Sequence, residues 1–175
     1  GALVSNITID QNNPWLKVYK RYITNKAQTR VLVALNSPQT DYSYGIPNTV
    51  IKLEPKSFGT GTKSVTIPSS VLEMEGAFSN CSRLSLVKCN AIVPPVITDA
   101  TFNDAIFSSV NAKLYVPNGC ETQYANAPGW RRFAGNIYGS LEYNPDDMPP
   151  VVYNMTVHRN DGQGITKDVK EIGSM

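Results

Sequence analysis

The sequence has few residues suited to catalysis. His158 is the only histidine in 175 residues, and histidine is the side chain that most often transfers protons near neutral pH. Cys81, Cys89 and Cys120 are an odd number of cysteines, and their spacing is not that of a metal site. We therefore expect a protein that is not an enzyme, with no catalytic residue, no cofactor and no metal ligand.

Charge of one sign and long apolar runs are also lacking. The 16 basic and 14 acidic side chains leave a net charge of +2, whereas nucleic-acid binding needs a clustered basic surface. The longest uninterrupted apolar run, Val31 to Leu35, is far shorter than a membrane span. We predict no nucleic-acid partner and no transmembrane segment, and the oligomeric state stays open.

What the sequence does contain is an internal repeat. Ile46-Pro47 and Ile67-Pro68 lie 21 residues apart, and each pair is followed by a phenylalanine, at Phe58 and Phe78. Weaker copies of the same order start at Pro94 and Val116 and end at Phe102 and Phe133. A period of 20 to 27 residues is typical of proteins built from stacked repeats.

A short segment of alternating apolar and polar residues opens each repeat. These segments are Tyr42 to Ile46, Lys63 to Ile67, Ser85 to Cys89 and Lys113 to Val116. Alternation over four to six residues is typical of a half-buried strand, and the following proline ends that strand. Since one strand with its return segment cannot bury its apolar side alone, the pattern predicts a β-dominated repeat solenoid with a shared core.

The N-terminal 40 residues have a different pattern. Leu3 to Ile9 is predicted to form a short strand. Val18 to Thr24 and Thr29 to Leu35 flank the polar segment 25–28, which predicts a β-hairpin. We expect this hairpin to cover or continue the open end of the stack.

The composition changes again near residue 144, where prolines and aspartates cluster. Residues 1–143 are interpreted as one repeat domain, with an irregular N-terminal repeat in 1–40 and regular repeats with a terminal coil in 41–143. Residues 144–175 are interpreted as a linker and a C-terminal extension of unknown role. Val151 to Arg159 and Ile165 to Val169 are candidate strands there, joined by a turn. Whether the extension packs on the repeats stays open.

Two runs of residues resemble the BspA-like leucine-rich repeat family of bacterial surface and secreted proteins of gut and oral anaerobes. The first run is Ile67 to Cys81 with Leu84 and Val87, and the second extends from Pro94 to Ile137. The resemblance covers roughly residues 1 to 143. It implies a right-handed leucine-rich-repeat-like solenoid with one parallel sheet and short return turns or helices.

The same resemblance implies a location and a role. Family members are exported, and they are associated with adhesion at the cell surface. We therefore expect an extracellular or cell-surface protein whose signal segment has been removed from this chain. The expected partner is an extracellular or host protein, or a glycan, and its identity stays open, as does any anchoring to the membrane.

Strand parity predicts where a ligand would bind. If Ile46, Ile67, Cys89 and Val116 point inward, their immediate neighbours point to solvent. An exposed aromatic and an exposed aliphatic side chain beside two lysines are typical of an interaction surface. The predicted ligand-binding residues are Thr66, Leu86, Lys88, Lys113 and Tyr115.

Several residues have two possible roles. Cys81 and Cys89 are predicted to be buried as small apolar residues, with a disulfide as the alternative, and the redox state of all three cysteines stays open. Trp130 and Phe133 are predicted to fill the last coil, and the alternative for Trp130 is stacking on a carbohydrate. Solvent exposure is the favoured interpretation of the remaining acidic candidates. The disfavoured alternatives are calcium ligands at Asp146-Asp147 and Asp161-Gly162, a Cys120–His158 pair and a glycosidase pair among Glu54, Glu73, Glu75 and Glu121.

Three functions follow from these observations. The favoured hypothesis is a noncatalytic module that binds a protein or a glycan through the exposed face of the sheet. The second is a structural end cap of a larger secreted protein or complex, in which an exposed strand edge pairs with another chain. A hydrolase that uses two carboxylates is a distant third.

Overall fold

The computed structural model describes residues 7–35 and 42–141, together with the strands Val152–Val157 and Lys167–Ile172. Strands greatly outnumber helices in this part of the chain. The first strands are β1 (Leu16–Tyr19), β2 (Tyr22–Asn25), β3 (Arg30–Ala34), β4 (Tyr42–Gly45), β5 (Lys52–Leu53) and β6 (Thr62–Ile67). The later strands are β7 (Leu86–Cys89), β8 (Lys113–Pro117), β9 (Ile137–Leu141), β10 (Val152–Val157) and β11 (Lys167–Ile172).

The helices are short and lie between the later strands. They are α1 (Ala105–Ser108), α2 (Glu121–Asn126) and the single 3-10 turns Asp99–Thr101 and Trp130–Phe133. In the described part of the chain no helix is long and apolar enough to cross a membrane.

A five-stranded parallel sheet forms one side of the molecule, with the strand order β4-β6-β7-β8-β9. The four alternating segments correspond to β4, β6, β7 and β8. Their inward residues are buried, including Ile46, Ile67, Cys89 and Val116, which confirms the predicted parity. The fifth strand, β9, was missed because Ile137–Leu141 lacks the proline that lies at or just after the ends of β4, β6 and β8.

The phenylalanines that close the repeats form one column inside the molecule. The ring centroids of Phe58 and Phe78 are 4.8 Å apart, and those of Phe78 and Phe102 are 5.3 Å apart. Phe133 continues the column at 5.2 Å from Phe102. Positions that are equivalent in the sequence repeat are therefore neighbours in space, and their rings form a shared apolar core.

Backbone hydrogen bonds also join neighbouring repeats outside the parallel sheet. The N–H of Leu72 donates to the carbonyl of Ile51 over 2.9 Å, and the N–H of Ile51 donates to the carbonyl of Thr29 over 2.8 Å. The N–H of Phe78 bonds the carbonyl of Thr101 over 3.0 Å. Backbone N–H and carbonyl groups in the segments between the strands thus form hydrogen bonds with the corresponding segment of the next repeat, as buried backbone groups must.

The predicted hairpin around residues 25–28 is confirmed, because β2 and β3 pair antiparallel across that segment. Its first arm is shorter than predicted, since Lys20 has a φ of 54° and divides Val18 to Thr24 between β1 and β2. Strands β1, β2 and β3 are antiparallel neighbours, and β3 then pairs in parallel with β5. Tyr22 of β2 donates its hydroxyl to the carbonyl of Gly45 over 2.9 Å, which attaches this region to the end of the repeats.

The two ends of the chain are only partly described. Ile7 to Ile9 do not form a strand, so the C-terminal part of the predicted first strand is wrong, and the rest of it lies outside the described residues. In the C-terminal extension, β10 and β11 pair as an antiparallel hairpin. The predicted second strand ends at Val169, whereas β11 extends to Ile172.

Candidate functional site

The outward residues of the parallel sheet form two rows that cross neighbouring strands, and we call these rows the sheet face. The first row is Gly45, Thr66, Lys88, Tyr115 and Tyr138, which are register partners in that order. The second row is Ser43, Ser64, Leu86 and Lys113. All five predicted ligand-binding residues therefore lie on one face, because parallel register aligns positions that are distant in sequence.

Two tyrosines stack at one end of the sheet face. Tyr115 of β8 and Tyr138 of β9 have ring centroids 5.3 Å apart and ring planes 27° apart. Tyr138 is 39% exposed, and the Nζ of Lys113 lies 6.0 Å from the centroid of its ring. The sequence interpretation missed Tyr138, although its position next to the inward Ile137 was the signal that would have found it.

The sheet carries only positive charge. The five strands of the parallel sheet contain three lysines, Lys63, Lys88 and Lys113, and no aspartate or glutamate. Within the described ranges, neither Lys88 nor Lys113 forms an ion pair. The near-neutral net charge of the chain thus conceals a local excess of cations, which attracts anions.

The inner side of the same strands is packed into the core and holds the sheet face in position. Val87 and Leu114 are fully buried, and they alternate with Lys88, Lys113 and Tyr115 along β7 and β8. Close packing of the inward residues fixes the backbone and therefore the direction of the outward ones. The outward side chains contribute little to this core, so they are free to serve binding.

Carboxylates are found instead on the segments that connect one strand of the parallel sheet to the next. Glu54, Glu73 and Glu75 line a groove of about 410 Å³ together with the exposed Leu72 and Val96. The sequence interpretation did not foresee this groove, because its walls come from different repeats. Three of the four candidate glycosidase carboxylates therefore line one groove, whereas Glu121 follows β8 and lies against Gly139 of β9.

The carboxylates of this groove already have partners. Glu54 forms an ion pair with Arg30, and Lys52 lies 2.8 Å from Glu73. The hydrogen bond and the positive charge of Lys52 lower the pKa of Glu73. Thr98 donates its hydroxyl to Glu75 over 3.3 Å. A general acid needs a raised pKa, so Glu73 has the opposite of that property.

The cysteines are buried and free. Burial raises the pKa of Cys81 to about 12 and that of Cys89 to about 11, so both are held as neutral thiols. The hydroxyl of Tyr124 donates to the carbonyl of Ala91 over 2.7 Å and lies 3.2 Å from the sulfur of Cys89. The prediction that Cys81 and Cys89 pack as small apolar residues is confirmed.

Burial also decides the role of Trp130. Its side chain has no exposed surface, and its indole N–H donates to the carbonyl of Pro95 over 2.8 Å. The alternative in which Trp130 stacks on a carbohydrate is wrong, because a ligand cannot reach the ring. Trp130 and Phe133 instead fill the core beside Phe102, as predicted.

Some of the candidate residues lie in parts of the chain that the structure does not describe. His158, Asp146-Asp147 and Asp161 lie outside the described residues, so the Cys120–His158 pair and the calcium ligands stay the disfavoured alternatives that they are from the sequence. Across residues 7–35 and 42–141, no group of three or more histidine, cysteine, aspartate or glutamate side chains is close enough to hold a metal ion.

Comparisons of this chain with protein families, curated proteins and solved structures find little similarity. The sequence matches no protein-family model, and no curated protein matches it. Among solved structures, the chain is similar to the pneumococcal vaccine antigen PcpA, with a TM-score of 0.32 and 13% sequence identity. The match covers 76% of this chain and 48% of that antigen, so the chain spans about half the length of the antigen.

Proposed function

We propose that this chain is a noncatalytic binding module of the BspA-like leucine-rich repeat type, displayed on or secreted from a bacterial cell. In this proposal the parallel sheet is the rigid support, and the sheet face docks a protein or glycan ligand. The repeated order of strand, proline and phenylalanine supports the repeat assignment. Binding then depends on surface complementarity, and no bond is made or broken.

The observation that carries the proposal is the stacked pair of Tyr115 and Tyr138 on the solvent side of the sheet. Tyrosine is enriched in binding surfaces because it offers a large, rigid contact area at a small entropic cost. Neither ring contributes to the buried core. A pair of partly exposed aromatic rings on the outer side of the sheet is better suited to binding than to stability.

A binding screen with paired variants tests the proposal. The chain would be immobilised and exposed to matrix proteins, mucin and a glycan array at low and high salt. We expect a saturable signal that Tyr115→Ala with Tyr138→Ala weakens at least roughly tenfold, since aromatic anchors often contribute 2 kcal/mol or more to binding. Thermal unfolding should be nearly unchanged in this double variant.

Tyr19→Ala provides the matched control, because Tyr19 is a partly exposed tyrosine of β1 in the sheet formed by β1, β2, β3 and β5. Its binding curve should be that of the wild type. Equal binding by all three proteins would show that the ligand contacts another surface, and the proposed site would be wrong.

The second candidate function is an assembly cap. Strand β9 lies at the edge of the parallel sheet and pairs only with β8 in the described structure, and an open strand edge can pair with another chain. The proposal predicts a molar mass that rises with protein concentration in light scattering. A constant monomeric mass over a hundredfold concentration range would rule out self-association through this edge.

A further inference from the structure

We infer that the sheet face selects an anionic glycan, with a carboxylate or sulfate group bound by Lys88 and Lys113 and a sugar ring stacked on the tyrosines. This inference rests on the proposed function and names the class of ligand for the same site. Three observations support it: the charge of the sheet, the small size of the face and the arrangement of the aromatic rings.

The charge of the sheet selects for anions. Lys88 is the register partner of Tyr115, and Lys113 lies two residues before Tyr115 on the same strand. Both lysines therefore flank the tyrosine pair, and no acidic side chain on the five strands competes for them. An ammonium group that forms no ion pair with a carboxylate of the described residues and lies beside a binding surface favours a ligand with negative charge.

The size of the face favours a glycan over a folded protein. Five strands of mostly four to six residues give a flat area of roughly 19 Å by 13 Å. That is roughly 250 Å², whereas a stable protein interface buries about 800 Å² on each partner. A short stretch of a polysaccharide chain needs much less area, so it is the ligand that this surface can hold.

The tyrosines supply the second element of glycan recognition. The apolar C–H face of a sugar ring packs on an aromatic ring, and the phenol hydroxyl can exchange hydrogen bonds with sugar hydroxyls. Tyr138 is on the edge strand and partly exposed, so one side of the tyrosine pair is open to a ligand. A flat acidic peptide would use the lysines without needing this stacked pair.

The test compares charged polymers with their matched neutral forms. The probes are dextran sulfate against dextran, and polygalacturonate against its methyl ester, with poly-glutamate as the acidic peptide. We expect binding of at least one charged glycan at least roughly tenfold tighter than its neutral form, and an affinity that falls as salt rises. The sulfate and carboxylate arms distinguish the two sources of negative charge.

The variants separate a local site from general charge attraction. Lys88→Glu with Lys113→Glu should weaken glycan binding at least roughly tenfold. The control is Lys17→Glu with Lys56→Glu, which changes the net charge equally at exposed positions outside the sheet face, and it should bind within about twofold of the wild type. Tyr138→Ala should weaken the binding of the charged glycan much more than the binding of poly-glutamate.

The outcomes distinguish this inference from the proposed function. Equal binding of charged and neutral glycans that is still lost in the tyrosine variants would overturn the anionic selectivity and leave the sheet face as the site. Poly-glutamate binding as tight as glycan binding would overturn the choice of a glycan. Equal losses in both lysine pairs, or no binding of either charged glycan, would also overturn the inference.

Discussion

At the scale of single residues, the backbone conformation of one glycine has a clear structural reason. Gly129 has a φ of 75°, a region that residues with a side chain rarely adopt. A Cβ atom added there would lie 2.6 Å from Cγ1 of Ile97 and 2.9 Å from the carbonyl oxygen of Thr98. The absence of a side chain therefore allows the chain to turn tightly into the Trp130–Phe133 segment, next to the core.

This geometry predicts that Gly129→Ala destabilises the fold much more than the same substitution at a glycine with free space around it. We expect it to lower the free energy of unfolding by at least about 2 kcal/mol, because backbone strain and a clash with the carbonyl add together. Gly119→Ala is the control, since Gly119 has a φ of 84° but nothing within 4 Å of the added atom. It should cost about 1 kcal/mol, measured by urea denaturation.

At the scale of the elements, the repeats are held together by their return segments as well as by the sheet. Phe78 is fully buried and contacts the phenylalanine of the repeat on either side of it. The isolated parallel bridge between Phe78 and Phe102 joins the same two segments through the backbone. A single residue therefore links three repeats.

Phe78→Ala is expected to lower the free energy of unfolding by about 3 to 5 kcal/mol, the usual cost of removing a buried phenylalanine ring. Tyr138→Ala removes a ring of similar size from the solvent side of the sheet, and it should cost about 1 kcal/mol or less. Chemical denaturation of the two variants measures the difference. Similar losses would mean that the tyrosine pair is a structural feature, and they would weaken the proposed binding role.

At the scale of the whole molecule, the N-terminal strands close one end of the aromatic column. Tyr22 is almost completely buried, and its ring lies 6.3 Å from that of Phe58 and 6.0 Å from that of Tyr44. Tyr22 therefore belongs to the same set of packed aromatic rings as Phe58, and its loss removes core contacts at one end of that set. We therefore expect the two ends of the structure to unfold together.

Tyr22→Ala tests this coupling with a probe at the far end of the column. Trp15→Phe removes one of the two tryptophans, at a position that is 77% exposed, and leaves Trp130 as the only fluorescent tryptophan. We expect Tyr22→Ala in that background to lower the denaturation midpoint reported by Trp130, with a loss of about 3 to 5 kcal/mol. An unchanged Trp130 transition would show that the ends unfold independently.

The positions of most core residues could be read from the sequence. Proline at or just after an alternating segment marks the end of a strand because proline cannot donate a ladder hydrogen bond, and this rule located the ends of β4, β6 and β8. Strands β7 and β9 have no such proline, and β7 was found from its alternation alone. The break in the N-terminal strand is the turn Lys20-Arg21 between the register partners Tyr19 and Tyr22, and it lacks the glycine, asparagine or aspartate that usually marks a two-residue turn.

Part of the candidate site could likewise be predicted from the sequence, and part of it could not. The alternation of Leu86 to Cys89 and of Lys113 to Val116 was enough to assign the outward side chains of each strand, because side chains alternate across a strand with a period of two. The sequence alone thus determined the repeats, the inward core and the local excess of lysines. Tertiary structure alone decided that Tyr138 stacks on Tyr115, that Trp130 is buried and that three glutamates share a groove. Each of these depends on the register and packing between segments far apart in the chain, which no local pattern encodes.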